Sequence, residues 1–188
     1  MISVVENSVL ILLANGFEEI EATVPIDLLR RAGAKVTVAS CSENLLVEGR
    51  SKIILQADCL LSKIDDSLEF DLLIIPGGPA VFNLRKRPEI INLIKSHAFS
   101  GKLIGAICAA PLLLLDAELL KSDSNCTAHE STFKELTNLI TDQAVVKCGK
   151  IITSRGAGTA LEFALSLVEN LFSYKKRTEI AESIHANI

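Results

Sequence analysis

The sequence predicts an α/β domain in which a mostly parallel sheet lies between two layers of helices. Short apolar runs recur without the polar alternation of a half-exposed strand, as buried parallel strands do. Amphipathic stretches of helical period separate them. The 188 residues, 49% of them hydrophobic, are enough to close one core and fall below the size at which chains divide, so a single domain over residues 1–188 is expected.

The first strand is read at Ser8-Val9-Leu10-Ile11-Leu12-Leu13-Ala14, a continuous run that ends at Asn15-Gly16. A helix follows to Arg31-Ala32-Gly33, where the glycine supplies a C-terminal stop. Lys35 to Ser40, with β-branched Val36 and Val38, reads as a second strand, and residues 44–57 as an extended, hairpin-like excursion through Glu48-Gly49-Arg50. Asp71 to Ile75 is a buried strand that stops at Pro76-Gly77-Gly78. Pro88 opens a helix whose apolar face carries Ile90, Ile91 and Ile94. Ser100-Gly101 turns the chain into a strand from Lys102 to Ile107, and a helix is read from about Ala109. Asn125 to Ala128 reads as a short extended piece, followed by a helix from about Thr132 and a hairpin around Gly149. Thr159-Ala160-Leu161-Glu162 has the spacing of a capping box, with Leu161, Leu165, Val168 and Phe172 on one face behind it.

Composition narrows the functional classes. With 19 basic and 23 acidic residues the net charge is −4, without the basic excess of a nucleic-acid binder. The longest uncharged apolar stretch, Leu103 to Leu115, falls short of the ~18 residues a membrane span needs. The N-terminus lacks a basic n-region, so no secretory signal is read and a soluble, cytoplasmic protein is expected. The odd count of 5 cysteines, without a CxxC pair, points to thiols in a reducing compartment. The 3 histidines are far apart and show no metal-ligand spacing, and no metal site is expected.

In an open parallel sheet the site lies beyond the carboxyl ends of the strands. Gly105-Ala106-Ile107-Cys108-Ala109-Ala110-Pro111 places a cysteine where a strand turns sharply into a helix, flanked by small residues as in a nucleophile elbow. A helix N-terminus there favours thiolate, whereas a free cysteine is also a common buried hydrophobe. Glu18 and Glu19 suit a helix start through the macrodipole. Glu21 shares a face with Val24 and Leu28, so its carboxyl is desolvated and expected to hold its proton longer. Pro76-Gly77-Gly78-Pro79 is either a plain turn or a pair of backbone donors for an oxyanion. Ser154-Arg155-Gly156-Ala157-Gly158-Thr159 has Leu161 where a dinucleotide fingerprint needs its last glycine, so no nucleotide cofactor is expected. His129 fits either an ordinary surface position or a base.

These stretches, in this order, resemble the ThiJ/PfpI superfamily, in the branch of the parkinsonism-associated deglycase and its bacterial ThiJ-type relatives. The segments that carry the likeness are Gly16 to Gly33, Leu73 to Gly78, Ala106 to Pro111 and Thr153 to Thr159. The resemblance implies a flavodoxin-like sandwich, a homodimer and a nucleophile at Cys108. It also implies Glu21 as a protonated partner of the sulfur, His129 nearby, and Gly77, Gly78 and Ala109 lining the oxyanion position. Arg50 is implied to approach the pocket of a dimer partner. Glu130, after the histidine, and Ala110 depart from the pattern, the first placing an acid where it could orient the imidazole.

The activity implied is glutathione-independent conversion of α-oxoaldehydes such as methylglyoxal and glyoxal, or of their adducts on cysteine, lysine or arginine. It would run through a Cys108 hemithioacetal with Glu21 as proton shuttle and without cofactor. The alternative is a redox-responsive protein or chaperone in which Cys108 is oxidised to sulfinate. Third stands a cysteine amidase or peptidase with His129 as base.

Overall fold

The computed structural model describes residues 7–65 and 68–187. The N-terminal stretch on which the absence of a signal was read, 1–6, lies outside them. A seven-stranded sheet runs in the order β5-β2-β1-β6-β7-β9-β8. Its strands are β1 (Ser8–Leu13), β2 (Lys35–Ser40), β5 (Cys59–Leu60), β6 (Leu72–Ile75), β7 (Leu103–Ile107), β8 (Val145–Cys148) and β9 (Ile151–Ser154). All neighbours are parallel except β8, which pairs antiparallel with β9 across the Gly149 hairpin. A separate antiparallel hairpin, β3 (Leu46–Glu48) and β4 (Ile54–Gln56), forms the predicted excursion.

The period-2 geometry of the strands divides the core in two. On one face Val9, Ile11, Leu13, Leu72, Ile74 and Ile152 pack under α1 (Glu19–Ala32), α5 (Ala160–Leu171) and α6 (Tyr174–Ser183). On the other, Leu10, Leu12, Leu73, Ile75, Ile104 and Ala106 pack under α2 (Ala80–Leu84), α3 (Pro88–Phe99) and α4 (Pro111–Asp116). The result is a flavodoxin-like α/β/α sandwich. β1 lies centrally, with β2 on one side and β6 on the other, so the winding reverses there. The loops after β1, β6 and β7 therefore open at a topological switch point.

Several local readings are corrected. No helix follows Thr132: one turn closes, with the Leu136 N–H donating to the Thr132 carbonyl at 2.9 Å, and then the Thr137 N–H turns to the Ser122 carbonyl at 2.9 Å. Glu135 is drawn to Arg85 at 2.6 Å and Leu139 bridges Cys126, so tertiary partners override the helical pattern. The piece at 125–128 contributes only that bridge. The capping box at Thr159 does not form, because its hydroxyl is engaged by Ser154 at 2.7 Å and the Gly156 carbonyl at 2.9 Å. The core-facing stripe of α5 is Ala160, Phe163, Ala164 and Leu167, with Leu165 and Val168 also buried and Leu161 and Phe172 at its margin. Helix α6 had no clear signal because little of it is apolar; only Ile180 and Ala181 are buried.

Glu19, read as suiting a helix start through the macrodipole, is 5% exposed and holds the hairpin against α1. Its carboxylate accepts the Ser51 N–H at 2.6 Å. Burial pushes this carboxyl upward, but hydrogen bonds from the backbone at Glu19 itself, Ser51 and Ile53 outweigh it and hold the group below the usual range. A carboxylate held low stabilises the fold above the ordinary carboxylate range and loses that contribution as pH falls through it. Glu19→Gln should therefore cost about 1–3 kcal/mol at neutral pH by chemical denaturation. The gap from the parent chain should close as the medium is acidified; a gap independent of pH would contradict this account.

Candidate active site

The loops at the switch point bring the three predicted strand ends together. Cys108 directly follows β7 and has φ +67°, a strained conformation for a residue with a side chain. The strain is held from both sides. The Cys108 N–H donates to the Ser154 carbonyl at 2.9 Å, and its own carbonyl accepts the His129 N–H at 2.9 Å. This is the sharp strand-to-helix turn that the small neighbours Ala109 and Ala110 permit.

Glu21 enters from the first turn of α1 and is 1% exposed. Its Oε2 accepts the Gly77 N–H at 2.8 Å, and its carboxyl is in hydrogen-bonding range of the Cys108 thiol. Gly77 must be glycine: a Cβ there would lie 2.5 Å from Cys108 Cβ and 2.6 Å from Glu21 Oε2. At Gly78, with φ +92°, a Cβ would fall 2.4 Å from the Gly16 carbonyl oxygen. The Gly78 and Ala109 N–H groups point at the Cys108 sulfur. The Gly77 N–H is instead committed to Glu21, so of the three predicted backbone donors two address the sulfur and one positions the acid.

Burial pushes the Glu21 carboxyl up to about 7, aided by the nearby Glu18 and opposed by the Gly77 N–H, the Cys108 contact and Arg50. Burial also pushes the Cys108 thiol up to about 12, with the Glu21 carboxylate reinforcing it. The helix N-terminus does not win here, contrary to the thiolate expected from the elbow alone. The two groups share one site and together carry no more than one negative charge near neutrality.

The cleft above them, of about 260 Å³, is lined by Glu18, Glu21, Arg50, Gly78, Pro79, Phe82, Cys108, Ala109, His129, Ser131 and Ala157. Arg50 lines the cleft of its own chain, and its backbone N–H is fixed on the Phe17 carbonyl at 2.8 Å. His129 Nδ1 accepts the Ser131 N–H at 3.1 Å and contacts the Ser131 hydroxyl at 3.0 Å. A ring nitrogen that accepts an N–H carries no proton, which leaves Nε2–H as the donor of the ring. Ser131, rather than Glu130, orients it. The Gly156 loop closes the back wall: a Cβ there would sit 3.7 Å from Glu21 Oε1 and 3.9 Å from His129 Cδ2.

Sequence reasoning missed Ser131, Phe82 and the capping task of Glu18, whose Oε2 accepts the Glu21 N–H at 2.8 Å. An acid three residues before Glu21 was the available signal for the last. Phe82, half exposed in a short helix, gave none.

A strained cysteine at a strand-to-helix elbow, hydrogen-bonded to a buried acid at the switch point of a flavodoxin-like sheet, defines a cysteine–carboxylate α/β protein. The chain belongs to the DJ-1/PfpI family, which it matches over residues 7–170. It is 38% identical over 178 residues to protein DJ-1 homolog A of Arabidopsis thaliana, covering 93% of this chain but 45% of that one. The chain thus spans less than half the length of that relative, and of homolog B, of which it covers 40%. It is 37% identical to protein dj-1beta of Drosophila melanogaster, covering 94% of this chain and 96% of that protein. The crystal structure of Drosophila DJ-1beta superposes with a TM-score of 0.91 at 34% identity, over 97% of this chain and 100% of that one. Glutathione-independent glyoxalase DJR-1.2 of Caenorhabditis elegans is 36% identical over 95% of this chain and 96% of its own length.

Because a methyl at residue 77 collides with both reacting groups, Gly77→Ala should cost about 1–3 kcal/mol as an overpacked site. It should also slow alkylation of Cys108 at least tenfold, read by intact mass after iodoacetamide. Unchanged alkylation would show that the pair tolerates displacement.

Proposed function

We propose that this protein is a glutathione-independent glyoxalase acting on α-oxoaldehydes such as methylglyoxal and glyoxal, and on their adducts with cysteine, lysine or arginine. The observation that carries the reading is the buried Glu21 carboxyl paired with Cys108 beneath the Gly78 and Ala109 N–H groups. The nematode relative named a glutathione-independent glyoxalase supports it.

In this reading the Cys108 sulfur attacks the aldehyde carbon as its proton passes to Glu21, and the carbonyl oxygen takes that proton to give a hemithioacetal. The Glu21 carboxylate then removes the hydrogen on the former aldehyde carbon and returns it to the adjacent carbonyl carbon, while the hemithioacetal hydroxyl proton moves to the oxygen on that adjacent carbon, leaving a thioester of the hydroxy acid. Water cleaves the thioester, releases the acid and restores the thiol. The Gly78 and Ala109 N–H groups stabilise oxyanions as they form, and His129 Nε2–H supplies a further donor. A carboxyl raised to about 7 is matched to a base working near neutrality.

The cleft mouth suggests how the molecule assembles. Ile20, Leu46, Ile53 and Ile54 are 49%, 60%, 54% and 57% exposed on α1 and the hairpin that Glu19 fastens to it, beside Arg50. We propose that this apolar face is the homodimer contact. Ile54→Asp should convert the dimer to a monomer by light scattering while keeping the circular dichroism of the parent; an unchanged mass would place the contact elsewhere.

The second reading, oxidation of Cys108 to sulfinate, is favoured by the same two N–H groups and by Glu21, which would hold the added oxygens. The amidase reading loses support because His129 Nδ1, the ring nitrogen with a lone pair, already accepts the Ser131 N–H at 3.1 Å.

The direct experiment is lactate formation from methylglyoxal without glutathione. Cys108→Ser should abolish it, and Glu21→Gln should reduce it by about 10²–10⁴-fold, as loss of general base catalysis does. Since Glu21 must be ionised to accept a proton, kcat/KM should rise with pH through an inflection near 7. Retained turnover in Cys108→Ser sinks the mechanism, and selective gain of two oxygens at Cys108 under peroxide would then favour the redox reading.

A further inference from the structure

Away from the cleft, two other cysteines, Cys126 and Cys148, lie near each other beside the β8–β9 edge. Cross-strand partners point to the same sheet face, and Cys148 pairs with Ile151 as Val146 pairs with Thr153. Ile151 packs into the core beneath α2, α3 and α4, so the Cys148 side chain belongs to that face, near its outer rim. Cys126 is buried in the same core. The segment carrying it crosses this face, because the Thr127 N–H donates to the Thr153 hydroxyl at 3.0 Å. It then runs toward Cys108, whose carbonyl takes the His129 N–H at 2.9 Å. As β9 runs parallel to β7, this direction sets Cys126 back from Thr153 toward Ile151 and its partner Cys148. Burial raises the Cys126 thiol, and the nearness of Cys148 adds to it.

The two thiols differ in access: Cys148 is exposed at the end of the hairpin, whereas Cys126 is 1% exposed. Thr127, next to Cys126, has a buried hydroxyl without a hydrogen-bond partner, so a small shift of this segment sacrifices no hydrogen bond made by that side chain.

We propose that Cys148 and Cys126 form a reversible intramolecular disulfide in the presence of a peroxide, a modification site separate from Cys108. The Cys148 thiolate attacks one peroxide oxygen, the O–O bond breaks, and a sulfenic acid and one water result. Cys126 sulfur then attacks Cys148 sulfur, the S–O bond breaks, and a second water leaves with the Cys126 proton. Two thiols lose two electrons and the peroxide gains them. The crosslink tethers the hairpin to the segment that ends at His129.

The test uses the Cys108→Ser chain, so that oxidation at the cleft does not compete. After hydrogen peroxide, denaturation and iodoacetamide, the mass should fall short by two alkyl groups, and non-reducing peptide mapping should join the peptides of Cys126 and Cys148. Dithiothreitol should reverse both. Adding Cys148→Ser, an exposed change that leaves the core intact, should abolish the crosslink, as should Cys126→Ser. If Cys126 and Cys148 both remain alkylatable, or if Cys148 is oxidised without a partner or joins a second copy, the proposal fails. None of these outcomes depends on turnover by Cys108, so they do not bear on the glyoxalase reading.

Discussion

The site depends on keeping one buried carboxyl beside one partly buried thiol. Taking an ionised carboxylate out of water costs several kcal/mol unless hydrogen bonds replace the lost solvation. Here the Gly77 N–H supplies one bond and the thiol another, too little to restore an ordinary affinity for protons. Glu21 therefore titrates near neutrality, and Cys108 cannot ionise independently beside it. Much of the surrounding geometry serves that pair: a glycine where a methyl would collide with both groups, a second glycine in the left-handed region, and a cysteine accepting backbone strain of order 1–3 kcal/mol.

That strain persists because the sheet over-determines the elbow. The register Ile107↔Ser154 brings the end of β9 alongside the end of β7, so the Cys108 N–H has a fixed acceptor. The segment at His129 fixes the carbonyl from the other side. With both backbone groups occupied, relaxing the φ of Cys108 would break two hydrogen bonds. The central position of β1 adds the third requirement, since α1 starts just past the switch point and delivers Glu21 at its first turn.

Most of this frame was legible. The apolar runs marked the main strands, and the elbow, the Pro76-Gly77-Gly78 turn and Glu21 were all visible as local departures from ordinary strand and helix composition. What was not legible involved contacts distant in sequence. The segment after Thr132 has helical spacing, but its backbone is claimed by Ser122 and Cys126. The thiolate expected from a helix N-terminus ignored burial and the Glu21 carboxylate, which only the packed structure brings to bear. The orientation of His129 depends on Ser131, a residue with no distinguishing pattern.

Glu18, Glu19 and Glu21 show how completely the surroundings decide what a residue type does. Near the N-terminus of a helix each would be read as complementing the dipole. Successive residues on a helix are turned by about 100° (3.6 per turn), so the three carboxyls leave the axis in different directions. Glu18 stays at the cap and closes the first turn onto the Glu21 N–H. Glu19 turns to the hairpin and is held below the usual carboxylate range by backbone donors. Glu21 turns under the elbow, finds one backbone donor and a thiol, and is raised. Shifting this acidic run by one position would put the side chain of Ile20 or Ala22 beneath Cys108 and remove the proton acceptor tuned to neutrality. The same run also joins the cleft to the proposed dimer face, because the hairpin that Glu19 fastens carries both Arg50 and the exposed Ile53 and Ile54. Loosening Glu19 would therefore move the rim of the cleft and the dimer contact together, although the residue touches neither the sulfur nor the substrate.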